Sequence, residues 1–147
     1  MYHHILIALE NSPTDVAILT HIRPLVRLTQ ARLILTHVAD GFVARNQDQL
    51  NLQDSEEIRK DREYLESVKR DLTGDGFEVE AILARGDPAE QIVALAHSAG
   101  CDLIAMSTHG HRFIGDLIFG SVASNVRHLT DLPVLLVPAK RRSKSSE

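Results

Sequence analysis

The 147-residue chain has a single cysteine, four lysines and no apolar run near the ~20 residues that a membrane-spanning helix needs. Each scarcity removes a class of protein. Cys101 has no second thiol to pair with, which excludes a disulfide-stapled scaffold, and its place beside an apolar strand predicts an inert buried group. The first residues carry no basic segment followed by an apolar core and cleavage site, so the expectation is a cytoplasmic protein. A formal charge of −4 lacks the strongly basic face of a nucleic-acid binder. The one basic stretch, Lys140 to Lys144, follows Pro138 among serines and reads as a disordered tail over residues 140–147. P-loop, nucleophile-elbow, CxxC and HExxH motifs are also missing.

What remains is an unbroken alternation of strand and helix signals over residues 1–139, the pattern of one doubly wound α/β domain with a parallel sheet. His4 to Leu9 reads as the first strand. Ser12 as N-cap, Pro13 at the first helical position and Asp15 in the first turn announce a helix with an apolar stripe at Val16, Leu19, Ile22 and Val26. Ala31 to Val38 is a second, doubly buried strand, and Asp40 to Asn51 reads as a long loop. Ile58, Leu65, Val68 and Leu72 share one face of a charged helix ending near Gly74 or Gly76. Phe77 to Ala84 alternates apolar with charged residues, as an edge strand does. Asp87 to Glu90 forms a capping box around Pro88, and Gly100 stops that helix. Asp102 to Ser107 and Pro133 to Pro138 supply two more strands.

The stretch Ser107-Thr108-His109-Gly110, followed after nine residues by Gly120-Ser121, joins the fourth strand to a helix whose Val122, Ala123, Val126 and Leu129 recur at helical spacing. Glycine permits positive φ and close backbone approach, and free amides at a helix start attract anions. The chemistry predicted is main-chain phosphate binding, with a purely structural glycine loop as the alternative. His109 and His111 suggest metal weakly, because no third ligand lies nearby. None of the lysines (Lys60, Lys69, Lys140, Lys144) is placed to neutralise a transferring phosphoryl group, and Arg112 is the nearby fixed cation. Asp116 reads either as a magnesium ligand or as a solvent-facing acid.

The same stretch resembles the nucleotide-binding signature of the universal stress protein family, Gly-x2-Gly-x9-Gly-Ser/Thr, with Ser107 in place of the first glycine. The flanks Met106 to Gly110, Gly120 to Ala123 and Leu132 to Pro138 are similar to that family's last third, and Ile5 to Ser12 resembles its first strand and loop. The resemblance spans residues 3 to 138. It implies a five-stranded sheet in the order 3-2-1-4-5 with helices on both faces, Rossmann-like and similar to the adenine nucleotide alpha hydrolases. It also implies a site for ATP, with or without magnesium, where the first and fourth strands part.

By that resemblance the ligand meets Ala8, Leu9 and Glu10 from the first loop, Val38 through its backbone at the adenine edge, and Met106, Ser107, His109, Gly110 and Arg112 after the fourth strand. Gly120, Ser121, Val122 and Ala123 complete the set. Nucleotide-binding members typically carry Asp where this chain has Glu10. Serine at position 107 resists positive φ, so phosphate affinity falls if the site needs that backbone. The function implied is an ATP-binding stress-response regulator acting through a protein partner or its own assembly. Two alternatives stay open: a nucleotide-free interaction protein of the same fold, and a weak ATPase, for which no base is evident. The resemblance further implies a homodimer paired antiparallel along Val134 to Val137.

Overall fold

The computed structural model describes residues 1–40, 47–109 and 121–139, leaving out the side chains of 40 and 47–55. Three near-continuous apolar runs become the central strands β1 (His4–Leu9), β2 (Arg32–Asp40) and β4 (Leu103–Thr108), because only strands covered on both faces can bury side chains of either parity. The edges go to β3 (Val79–Gly86), two residues later than the expected Phe77 to Ala84, and β5 (Val134–Pro138). All neighbours pair parallel in the order β3-β2-β1-β4-β5, with Ile7 opposite both Leu35 and Ala105.

Alternation along each strand divides the core in two. Ile5, Ile7, Leu33, Leu35 and Leu103 meet α1 (Asp15–Thr29) and α2 (Gln47–Gly74) on one face. Leu6, Ile34, Ile104 and Met106 meet α3 (Pro88–Ser98) and α4 (Ser121–Leu129) on the other. Asp87 caps α3 by accepting the Glu90 amide at 3.0 Å, with Pro88 at the first helical position. Gly100 takes a left-handed φ of +69° as the chain leaves α3. Among the described residues no helix is long and apolar enough to cross a membrane.

Several sequence expectations shift. α1 begins at Asp15 with Thr14 as N-cap, not Ser12, because Ser12 to Thr14 form a preceding turn. Ile22 and Val26 face the core as expected, but the first turns of the buried stripe are Asp15 and Ile18, with Leu19 only partly buried and Val16 64% exposed. β2 runs on to Asp40 and α2 already starts at Gln47, so only 41–46 of the expected loop lies outside the described elements. Leu129 is exposed at the end of α4, whose inward face is Ala123 and Val126. The expected basic tail falls outside the described residues.

Candidate functional site

Beyond Leu9 the chain turns into α1 on one face of the sheet, while the β4 crossover leads to α4 on the other. Between those two strand ends lies the crevice where open parallel sheets hold ligands. One layer down, Ala8 pairs with Thr36 on one side and Met106 on the other. Strand parity turns all three toward α3 and α4. A methyl group between two larger side chains leaves a depression, and a cleft of about 180 Å³ opens above it.

Seven of the expected ligand residues line this cleft: Ala8, Leu9, Glu10, Val38, Met106, Ser107 and Val122. His109 reaches its rim through Glu10, whereas Ser121 is exposed at the start of α4 and Ala123 is buried in the core beneath it. Gly110, Arg112 and Gly120 lie outside the described residues, as do His111 and Asp116. Thr36, His37, Pro88 and Ile92 line the cleft as well and were not anticipated. Thr36 was detectable in principle, as the one hydroxyl of β2, set between the apolar Ile34 and Val38 on the same face.

Ser107 is a strand residue rather than a loop residue. It pairs with Val137 inside β4 and is not among the described non-glycine residues with positive φ, which are Tyr2, Asn11 and Gln30. The feared backbone penalty therefore does not arise. Its buried hydroxyl accepts the Ile18 amide of α1 at 3.0 Å, tying helix to strand. Ser107→Gly is accordingly expected to lower stability by about 2 kcal/mol, combining a lost buried hydrogen bond with glycine's entropy in a strand. Urea unfolding reads this directly, and an unchanged midpoint at equal slope would refute it.

The β1–α1 loop spends its main-chain donors internally. Asp15, only 1% exposed, accepts the amides of Glu10 at 2.8 Å, Asn11 at 2.9 Å and Ser12 at 3.4 Å, and the Tyr64 hydroxyl at 2.5 Å. Three successive amides around a carboxylate make an anion nest filled by the chain's own acid. Asn11 adopts φ +62°, a conformation its short polar side chain tolerates, and its amide group donates to Asp61 at 2.8 Å. Asp61 faces His37 at 3.5 Å, and His37 Nδ1 meets the Leu9 carbonyl at 2.9 Å. Burial first, then the bond to Asp15 and its charge, hold the Tyr64 phenol well above its ordinary value. The loop thus offers a ligand the Glu10 side chain rather than amides.

Glu10 itself is engaged. One carboxylate oxygen meets His109 Nε2 at 3.1 Å, and the other accepts the Ser12 hydroxyl at 3.3 Å. The pair spans the crevice from the β1 end to the β4 end, which fixes the exposed Glu10 carboxylate at the rim while leaving it further lone pairs to offer. Among the described residues no group of three His, Cys, Asp or Glu could hold a metal ion. Cys101 is buried, and burial followed by the Asp102 charge pushes its thiol up to about 11, which leaves it inert.

A larger hollow of about 490 Å³ lies at the opposite, amino ends of β1 and β2. Its charges are spent on neighbours: Arg32 pairs with Glu78 at 2.9 Å, Arg27 covers the Phe77 ring at 5.4 Å, and Asp75 pairs with Arg23. The smaller cleft is the better candidate because the strand carboxyl ends converge there.

Comparison with known proteins agrees with this architecture. The sequence profile of the Universal stress protein family matches residues 1–138. Universal stress protein MJ0577 of Methanocaldococcus jannaschii is 30% identical, the match covering 95% of this chain and 97% of that protein. Its solved structure superposes with a TM-score of 0.84 at 31% identity, over 97% of this chain and 99% of that one. A universal stress family protein from Burkholderia pseudomallei gives a TM-score of 0.74 at 28% identity, covering 94% and 97%. The Archaeoglobus fulgidus universal stress protein solved in complex with dAMP shares the fold, with a TM-score of 0.66 at 22% identity over 92% and 98%. A profile match over nearly the whole length, a relative 30% identical from end to end and a sheet in the order 3-2-1-4-5 carry one conclusion: the chain belongs to the universal stress protein family.

Proposed function

We propose that this protein binds ATP in the cleft between β1 and β4 and acts as a stress-response regulator rather than as an enzyme. The observation that carries the reading is the cleft's lining. Val38, Pro88, Ile92, Met106 and Val122 make apolar walls at the switch point, suited to a flat heteroaromatic base, with Glu10 at the rim for a sugar hydroxyl. The amides for the phosphates would come from the Gly110 to Gly120 stretch, whose sequence resembles the family's phosphate signature. Magnesium arrives with the triphosphate. Lys60 and Lys69 lie on α2 and neither lines the cleft, which supports binding without phosphoryl transfer.

Calorimetric titration of the nucleotide-stripped, folded protein with ATP and magnesium tests this, with GTP as control. Saturable, ATP-selective heat is expected. No heat and no competition by ATP would favour a nucleotide-free interaction protein, a reading supported by the Glu10–His109 pair already closed across the crevice.

The second part of the proposal is a homodimer along β5. Val134, Leu135, Leu136 and Val137 are all only half-buried on an edge strand, and Arg127, Leu132, Val134 and Leu136 outline an open hollow of about 290 Å³ beside it. An apolar strand edge left bare invites aggregation, whereas a two-fold pairing covers it. Leu136→Lys is expected to convert a dimer to a monomer in sedimentation at micromolar concentration. A monomeric parent protein would overturn the assignment.

A further inference from the structure

Among the described residues one buried side-chain oxygen has no hydrogen-bond partner: the hydroxyl of Thr36. Thr36 is 0% exposed, so bulk water does not satisfy it. The large majority of buried side-chain polar atoms are hydrogen-bonded, and one left unpaired calls for a reason. Its position supplies one. Thr36 sits opposite Ala8 on β1 and Ile82 on β3, on the sheet face turned toward α3 and α4, and it lines the cleft described above. The remaining wall on that side is hydrocarbon, from Val38, Pro88 and Ile92. An apolar side chain of the same shape, valine, would fill the strand without this defect. Threonine therefore forgoes stability in the free protein at a point directly below the space a ligand would enter.

We infer that the Thr36 hydroxyl is a ligand-contacting group, completing its hydrogen bond only with a polar edge atom of the heteroaromatic base seated in the cleft. This rests on the proposed nucleotide reading and adds a base-recognition residue to it. The hydroxyl both donates and accepts, so either a ring nitrogen or an exocyclic amine meets its requirement. Apolar walls with one deep polar group are the usual means by which a pocket orients a ring. Ala8 contributes by being small, since the depression between Thr36 and Met106 admits the edge of the ring. Because the hydroxyl is sealed in the free protein, contact requires a covering side chain to move, and Met106, unbranched and itself 6% exposed, is the wall residue best able to swing aside as the ring enters.

The test compares ATP affinity in the full-length protein, Thr36→Val and Thr36→Ser, together with the melting temperature of each without ligand. Valine keeps the shape and removes the hydroxyl; serine keeps the hydroxyl and removes a methyl. The inference expects Thr36→Val to bind ATP about tenfold more weakly, the scale of one hydrogen bond to a ligand. It expects Thr36→Ser to stay within about threefold of the parent. Ligand-free Thr36→Val is expected to melt at the parental temperature or up to about 4 °C higher, since an unsatisfied buried hydroxyl has been removed. Should the valine variant fail to fold, Thr36→Ala against Thr36→Ser isolates the hydroxyl in the same way. A folded Thr36→Val that binds ATP as the parent does overturns this inference and leaves the nucleotide reading intact. A parent protein that binds no ATP overturns both.

Discussion

Asp15→Ala is expected to lower the unfolding free energy by about 4 kcal/mol, which is the scale for a buried carboxylate whose removal leaves several donors without acceptors. Three loop amides and the Tyr64 hydroxyl lose their partner together. Against a total stability of roughly 5–15 kcal/mol for a domain, that loss brings the protein near its threshold. Tyr64→Phe removes one donor rather than the acceptor they share, and about 1 kcal/mol is expected. The double variant should lose less than the sum, because both substitutions break the same contact. Equilibrium urea unfolding of the four proteins checks the set. An Asp15→Ala loss below ~1 kcal/mol would mean that water reaches the loop amides freely.

The same contact sets an alkaline limit. The Tyr64 phenol is raised above its ordinary 10.0 in the folded protein, by burial first and by Asp15 second. Below that value both folded and unfolded chains keep the proton, and the contribution is fully present. Above it the unfolded chain releases the proton first, so stability falls as pH rises toward the folded value. Thermal melts between pH 8 and 11 should show a decline beginning near 10 that is shallower in Tyr64→Phe.

Ala8→Leu is expected to abolish nucleotide binding, by about 100-fold or more, equivalent to roughly 2.7 kcal/mol. The isobutyl group projects from β1 between Thr36 and Met106 into a cleft of about 180 Å³, occupying the space the base needs. Overpacking at this site costs about 1–3 kcal/mol in stability, so a melt must accompany the titration. A folded Ala8→Leu protein that retains ATP affinity within a few-fold would move the nucleotide out of this cleft. The Ala8 and Thr36 variants are complementary, because one fills the space and the other removes a single polar atom beneath it.

Most of the architecture was legible before any coordinates, for local reasons. Strands buried on both faces are apolar at both parities, as β1, most of β2 and β4 are; the alternation at Phe77 to Glu80 only begins β3, whose Ala81 to Ala84 run packs partly against both faces. The capping box at Asp87 and the stop at Gly100 act within a few residues, so their chemistry is written in adjacent letters. The Ser107 to Ser121 stretch identified the family for the same reason. The start of α1 misled because Ser12, Pro13 and Asp15 match a capping pattern, whereas Asp15 is committed to amides behind it and to Tyr64 on a distant helix.

The order and kind of the elements are thus written in the chain, since periodicity and capping depend on sequence neighbours. Which side chains meet is settled by packing. It carried Tyr64 to Asp15 across 49 positions, joined Glu10 to His109 across 99, and placed Thr36 under the cleft without a partner. It also turned the Ser107 hydroxyl onto α1, converting a supposed defect in a phosphate loop into a helix–strand tie. These pairings follow from strand register and crossover geometry. Both are settled only when the sheet packs against its helices, because a one-residue slip would turn every such side chain to the other face.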